Sequence, residues 1–206
     1  MKVLELFSGT ESFAKVARER GHEVFTVDNN PHFKPDLCID ILDLEPSMIP
    51  FKPDIIWASP PCTTFSLMSV RYHWDFPYPR TSKASINLAY VLKTLELIRE
   101  LKPIYWFIEN PRAMLRKFPF MLKPTTVTYC QYGADYMKPT DIFNNCSNWK
   151  ARAMCKNGMP CHISARRGSR EGIQGFKDIR GLKGSIARSI VPRDLCVEIL
   201  EACQKP

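Results

Sequence analysis

The sequence predicts an α/β fold: a Rossmann-like, mostly parallel sheet with helices on both faces and a small Cys/Arg/Gly-rich insertion. Short apolar runs alternate with amphipathic stretches up to about residue 145. Several of these runs stop at residues able to meet a ligand, as expected at the carboxyl edge of an open α/β sheet. From residue 144 to 185 the rhythm lapses into cysteine, arginine and glycine, which is long for a structureless loop in a compact domain.

Residues 3–7 read as an apolar strand leading into Ser8-Gly9. Residues 11–20 read as a helix with Phe13, Val16 and Ala17 on one face and Gly21 as its stop. Residues 23–27 form a second strand ending at Asp28, and 37–39 a short third ending at Asp40. Residues 54–58 form a buried fourth, followed by Ser59-Pro60-Pro61-Cys62-Thr63-Thr64-Phe65-Ser66. The loop 67–79 is polar and aromatic, with Tyr72 and Trp74 suited either to core or to filling a gap in a ligand. Ser82 can cap a helix running to about Leu101, with Ile86, Ala89, Tyr90, Lys93 and Leu97 spaced for burial. Residues 104–108 form a fifth strand ending at Glu109, and 126–130 and 140–143 a final pair. Pro192 reads as the first residue of a last helix.

With 206 residues, 45% of them hydrophobic, the chain makes one domain with ample core. No apolar stretch approaches a membrane span, and Met1-Lys2-Val3 runs straight into a strand, so a cytoplasmic protein without a signal peptide is expected. The eight cysteines then read as core, ligand or nucleophile rather than as disulfides. The net charge of +8 is local: residues 150–188 hold ten Lys/Arg against two acids, and the rest balances. Such a patch is expected where a polyanion docks, and Arg166, Arg167 and Arg170 are its candidate contacts.

The motifs resemble one family. Leu6-Phe7-Ser8-Gly9 is similar to the first cofactor motif of the DNA cytosine-5 methyltransferases. Ser59-Pro60-Pro61-Cys62 with Phe65-Ser66 resembles their nucleophile motif, and Ile108-Glu109-Asn110 their glutamate motif. Arg188-Ser189-Ile190-Val191-Pro192 resembles a worn form of the last motif, which returns to the cofactor. The likeness is to the short form that phages and prophages carry, including in restriction-modification systems. Thr10, Glu11 and Ser12 stand where the family usually has further glycines, and Pro111 where it has valine. The arginine motif is not recognisable in Tyr129-Cys130-Gln131-Tyr132-Gly133, leaving Arg112 or Lys138 to support the base.

The resemblance implies an S-adenosylmethionine-dependent methyltransferase with DNA as its substrate, and Cys62 and Glu109 as catalytic residues. It implies a cofactor site made of Phe7, Gly9, Thr10, Asp28, Asn29, Asp40, Ile41, Pro60 and Ser189. A thiolate suits the task because it adds to carbon 6 of the ring, activates carbon 5 and can leave again. A carboxyl at ring nitrogen 3 meets the charge that develops there. In duplex DNA the target base must leave the stack. The implied domains are a catalytic domain at 1–145, a basic insertion at 146–187 serving as a minimal target-recognition element, and a C-terminal helix at 188–206. RNA as the substrate, a transferred group larger than methyl, or a catalytically silent nucleic-acid-binding module stays open. Cys146, Cys155, Cys161 and His162, close together in this insertion, could make a structural zinc site.

Overall fold

The computed structural model describes residues 1–156, 158–162 and 185–205. In chain order the elements are β1 (Lys2–Leu6), α1 (Ser12–Glu19), β2 (Glu23–Asp28), β3 (Leu37–Cys38), β4 (Ile55–Ala58), α2 (Val70–His73), β5 (Trp74–Asp75), β6 (Tyr78–Pro79), α3 (Ser82–Leu101), β7 (Tyr105–Pro111), β8 (Thr125–Thr128), β9 (Pro139–Asn144), α4 (Ser185–Ser189) and α5 (Arg193–Cys203). Seven strands form one sheet in the order β3-β2-β1-β4-β7-β9-β8. β1 to β4 and β7 pair in parallel, while β9 runs antiparallel between β7 and β8. The Rossmann-like expectation holds. The chain winds outward from β1 to β3 and then crosses to β4 on the other side of β1, which opens a crevice at the carboxyl ends of these two strands.

Alternation along the strands divides the interior into two cores. Val3, Ile55, Trp57 and Phe107 face one side, where Phe13, Val16 and Ala17 of α1 and Leu195, Ile199 and Leu200 of α5 cover them. Leu4, Ile56, Ala58 and Ile108 face the other, against Ala84, Val91 and Leu97 of α3. Helices thus cover both faces, and parallel strands buried on both sides read as continuous apolar runs. Phe13 stacks on Trp57 at 4.7 Å between centroids, fixing α1 over the centre of the sheet.

Four details differ from the sequence reading. The face of α3 that is buried carries Ala84, Asn87, Val91, Thr94, Leu97 and Leu101, leaving Ile86 exposed. Polar Asn87 and Thr94 belong to this stripe because each finds a partner there: Asn87 in the cysteine loop, and Thr94 in the Tyr90 carbonyl at 2.7 Å. Thr81, not Ser82, caps the helix, its hydroxyl accepting from the Ala84 amide. Pro192 is itself the cap of α5. The strand expected over 126–130 stops at Thr128 and passes into a 3-10 turn, Tyr129–Tyr132, whose tight winding leads to Gly133 at φ 89°. Arg116 clips this region to the preceding connection, donating to both Asp141 and Thr126.

Glu5 is a buried carboxyl on β1 that accepts from the Ala14 amide at 2.8 Å and the Phe13 amide at 3.4 Å, in the first turn of α1. Burial pushes it from 4.5 up to about 8, against the pull of these two amides. The folded chain therefore holds a proton that the unfolded chain releases between about pH 4.5 and pH 8. Its contribution to stability is full below 4.5 and declines as pH rises through that window. Glu5→Gln should remove this decline. Urea unfolding of both proteins across the window should show the variant gaining on wild type by several kcal/mol as pH rises; parallel curves would count against a buried protonated Glu5.

Candidate active site

The turn after β1 needs unusual backbone. Phe7, Gly9 and Glu11 have φ of 56°, 45° and 55°. Only Gly9 takes this conformation without strain, while Phe7 and Glu11 pay about 1–3 kcal/mol each. The turn is locked from β2: the Val27 carbonyl accepts from the Ser8 amide at 3.1 Å, and Asp28 Oδ2 accepts from the Gly9 amide at 2.9 Å. The other Asp28 oxygen accepts from the Asn30 amide at 2.8 Å. Asp28 therefore has turn chemistry and a place at the cavity as well.

That cavity, of about 250 Å³, opens at the carboxyl edge. Phe7, Gly9, Asp28, Asn29, Asp40, Ile41 and Ser189 line it, seven of the nine residues expected there. Thr10 and Pro60 do not: the Thr10 hydroxyl bonds to Ser12, and the Pro60 carbonyl accepts from Asn110. Missed by the sequence reading were the apolar wall of Val27, Phe33 and Ile39 and, from α3, Tyr90. Tyr90 donates to Asp40 Oδ2 at 3.0 Å and meets Phe7 edge to face at 5.8 Å. Its place on the helix hid it, since Tyr90 reads there as core.

Cys62 follows β4 beside this cavity and is half-buried. The Cys62 carbonyl accepts from the Phe65 and Ser66 amides at 3.0 and 3.2 Å, curling the loop into a turn. Asn87 Nδ2 lies within donating distance of the Pro61 carbonyl at 3.3 Å, of Thr63 Oγ1 at 3.3 Å and of Thr64 Oγ1 at 3.0 Å. Asn110 Nδ2 donates to the Pro60 carbonyl at 3.1 Å. Trp74 is core, stacked on Phe65 and donating to the Thr64 carbonyl at 2.9 Å, whereas Tyr72 is exposed. The hairpin of β5 and β6 beyond it shows Tyr78 to solvent as well.

Glu109 lies on β7, one residue past Ile108, which pairs with Ala58 at the end of β4. Cys62 and Glu109 thus leave the same edge of the sheet from neighbouring strands. Glu109 is buried at 6% exposure, and its Oε1 accepts from the Tyr129 hydroxyl at 2.9 Å and from Lys138 Nζ at 3.3 Å. Lys138 is equally buried and sits 4.7 Å over the Tyr129 ring. Of the two cations considered for this place, Lys138 is the one beside Glu109; Arg112 is exposed, with its amide on the Pro139 carbonyl at 3.0 Å. Burial and the Glu109 carboxylate hold the Tyr129 phenol well above 10. Tyr129 therefore stays a neutral donor.

The cysteine cluster needs one correction. Cys155, Cys161 and His162 do come together, but the fourth member is Cys130, with all four ligand atoms within 4.8 Å of one another. Cys146 is instead buried in the core under α5, next to Cys203. In the sequence, residue 130 reads as the end of a strand and lies outside the insertion, which hides it from this group. Arg166, Arg167 and Arg170 lie outside the described residues. No helix among the described residues is long and apolar enough to cross a membrane.

No family model matches the chain. A Frog virus 3 (isolate Goorha) protein named as a DNA (cytosine-5)-methyltransferase is 28% identical over 221 residues, covering 98% of this chain and all of the relative. The likeness read from the motifs therefore extends along the chain. Among solved structures, a DNA modification methyltransferase encoded within an E. coli prophage matches 76% of this chain with a TM-score of 0.55 at 18% identity. An Entamoeba histolytica methyltransferase matches 80% with a TM-score of 0.51 at 15% identity. These two establish the methyltransferase fold. The chain spans only 52% and 57% of their lengths.

Asn87→Ala removes the amide that ties α3 to the cysteine loop and takes a donor from the buried Thr64 hydroxyl. It should cost about 1–3 kcal/mol of stability. Chemical denaturation reads this directly, and a loss below a few tenths of a kcal/mol would mean that the loop holds its shape without α3.

Proposed function

We propose that this chain transfers a methyl group from S-adenosylmethionine to carbon 5 of cytosine in DNA, through a transient covalent bond between Cys62 and carbon 6. The observation that carries the reading is the exit of Cys62 and Glu109 from adjacent strands at one sheet edge, beside a cavity walled by Asp28 and Asp40. Similarity to the viral methyltransferase along the whole chain supports it. The local charge of +8 supports a polyanionic substrate, and the insertion at 146–187 is the natural recognition element.

The lining residues suit the donor. Asp28, at the end of β2, is placed to accept from ribose hydroxyls. Phe7, Ile39, Ile41 and Tyr90 offer apolar and aromatic surface to an adenine, and Asp40 an acceptor for its amino group. The buried Ser8 hydroxyl, which has no partner among the described residues, is a polar group at the same turn. The bound donor supplies an electrophilic methyl on a sulfonium.

The chain's own residues do the rest. Cys62, as thiolate, adds to carbon 6 of the flipped base and pushes electrons toward nitrogen 3 and carbon 5. The Glu109 carboxyl meets nitrogen 3 and shares a proton with it as charge develops. Tyr129 and Lys138 both hold Oε1, which aims the other oxygen at the base. After methylation, water takes up the carbon 5 proton, the freed electron pair re-forms the carbon 5–carbon 6 double bond, the Cys62 thiolate leaves with the electrons of its carbon–sulfur bond, and the proton on nitrogen 3 returns to the Glu109 carboxyl.

The covalent step is tested with duplex DNA containing 5-fluorocytosine, whose fluorine blocks that release. Wild type with donor should form a stable protein–DNA adduct. Cys62→Ser should form none while binding the donor normally, because its hydroxyl stays protonated at neutral pH. An adduct with Cys62→Ser would remove the mechanism. Running single-stranded DNA and tRNA alongside decides the nucleic acid.

Asp28→Ala should weaken S-adenosylmethionine binding at least tenfold and leave DNA affinity alone, since a charge-assisted hydrogen bond is worth about 1.5–3 kcal/mol. Calorimetric titration checks this. Unchanged donor affinity would return Asp28 to its turn role.

A further inference from the structure

Cys130, Cys155, Cys161 and His162 reach one point from separate parts of the chain. Cys130 lies in the 3-10 turn directly after β8. Cys155 is seated against the end of that strand, its amide donating to Thr128 Oγ1 at 2.8 Å. Cys161 and His162 arrive six and seven residues later, at the start of the glycine- and arginine-rich stretch. His162 Nδ1 lies 3.5 Å from Cys155 Sγ and 3.5 Å from Cys161 Sγ, and the two sulfurs lie 3.2 Å apart.

These separations have a chemical meaning. Tetrahedral zinc with bonds of about 2.3 Å to sulfur and 2.0–2.1 Å to nitrogen sets sulfur–nitrogen edges near 3.5 Å and sulfur–sulfur edges near 3.8 Å. The sulfur–nitrogen distances match, and the sulfur pair needs only to open by about half an ångström. Gln131 Nε2 donates to Cys161 Sγ at 3.3 Å, the kind of outer bond that orients a ligand.

We propose that Cys130, Cys155, Cys161 and His162 Nδ1 bind one structural zinc ion. Zinc replaces the three thiol protons, which leave to solvent, and the imidazole enters neutral. All four positions are filled by protein, so no open position remains for water or substrate, and the site does not take part in chemistry. Its role is mechanical. It fastens the base of the basic stretch to the end of β8, one residue from the Tyr129 that holds Glu109. This inference does not depend on the methyl-transfer reading.

The test is metal analysis of the full chain purified without chelators. About one zinc per chain is expected, as for other closed four-ligand sites. Cys130→Ser and His162→Ala should lose nearly all of it. Cys38→Ser, at an exposed thiol, and Cys146→Ser, in the core, should keep it. If the ligand variants fail to fold, wild type reconstituted with Co²⁺ alone should show the intense visible bands and sulfur charge transfer of a tetrahedral thiolate site. Three results would overturn the proposal: zinc-free wild type that takes up no cobalt, Cys130→Ser with undiminished zinc, or an intact mass short of two hydrogens from a bond between Cys155 and Cys161.

Discussion

One buried hydrogen bond sets the geometry on which the site depends: Asn110 Nδ2 to the Pro60 carbonyl. Pro60 and Pro61 stiffen the cysteine loop but contribute no amide hydrogens, so it cannot tie itself down through its own donors at that point. The ties come from outside and land on carbonyls. Asn110 takes Pro60, and Asn87 reaches Pro61. Asn110 is also the residue after Glu109 on β7. One strand therefore carries both the carboxyl and the bolt that holds the thiol loop. The separation of the Glu109 carboxyl and the Cys62 thiol is set by a rigid strand and one amide rather than by two independent loops, which is the kind of support the proposed reactive pair would need.

What was legible in the sequence was local to strand ends. Gly9, Asp28, Asp40, Cys62 and Glu109 each follow a short apolar run, and the parallel sheet collects all such ends at one edge. The inner face of α3 was not legible, because Asn87 and Thr94 are polar and become interior only through the carbonyl and hydroxyl groups they meet. A hydrophobic pattern assigns them to solvent. Lys138 was legible as a cation of the right region, yet only the 3.2 Å bond from the Tyr129 amide to the Lys138 carbonyl, closing the neck of the β8–β9 connection, places it on Glu109. Cys130 needed two facts that the sequence hides: a strand ending two residues early, and a segment folding back on it.

The two turns that bracket the cavity are built on opposite terms. The turn after β1 is strained, with Phe7 and Glu11 in the left-handed region. Glu11 is compensated by its ion pair with Arg18 at 2.6 Å and by the hydroxyl of Thr26, which lies on β2. The turn after β2 is relaxed, with Asp28 satisfying two amides, one on each side. The same carboxylate that stabilises the relaxed turn thus holds the strained one closed. A single side chain here both faces the cavity and ties the two turns together, so a substitution at Asp28 acts on the fold at the cavity's rim.

The packing of α5 against α1 has a consequence for how the molecule comes into being. The residues that cover one face of the sheet, Leu195, Ile199 and Leu200, follow the basic insertion, while the strands they cover start at residue 2. The cavity has the same split, with Phe7 and Gly9 on one side and Ser189 on the other. A growing chain can lay down β1 to β4 and still leave that face bare until the ribosome has passed residue 200. Local pairing gives little help, since this closure joins the most distant parts of the chain and carries the entropy cost of a very long loop. The face of the sheet under α5 therefore closes late, after the core against α3 has its residues in place, and Ser189 joins a cavity whose other wall, from Phe7 to Tyr90, is already made.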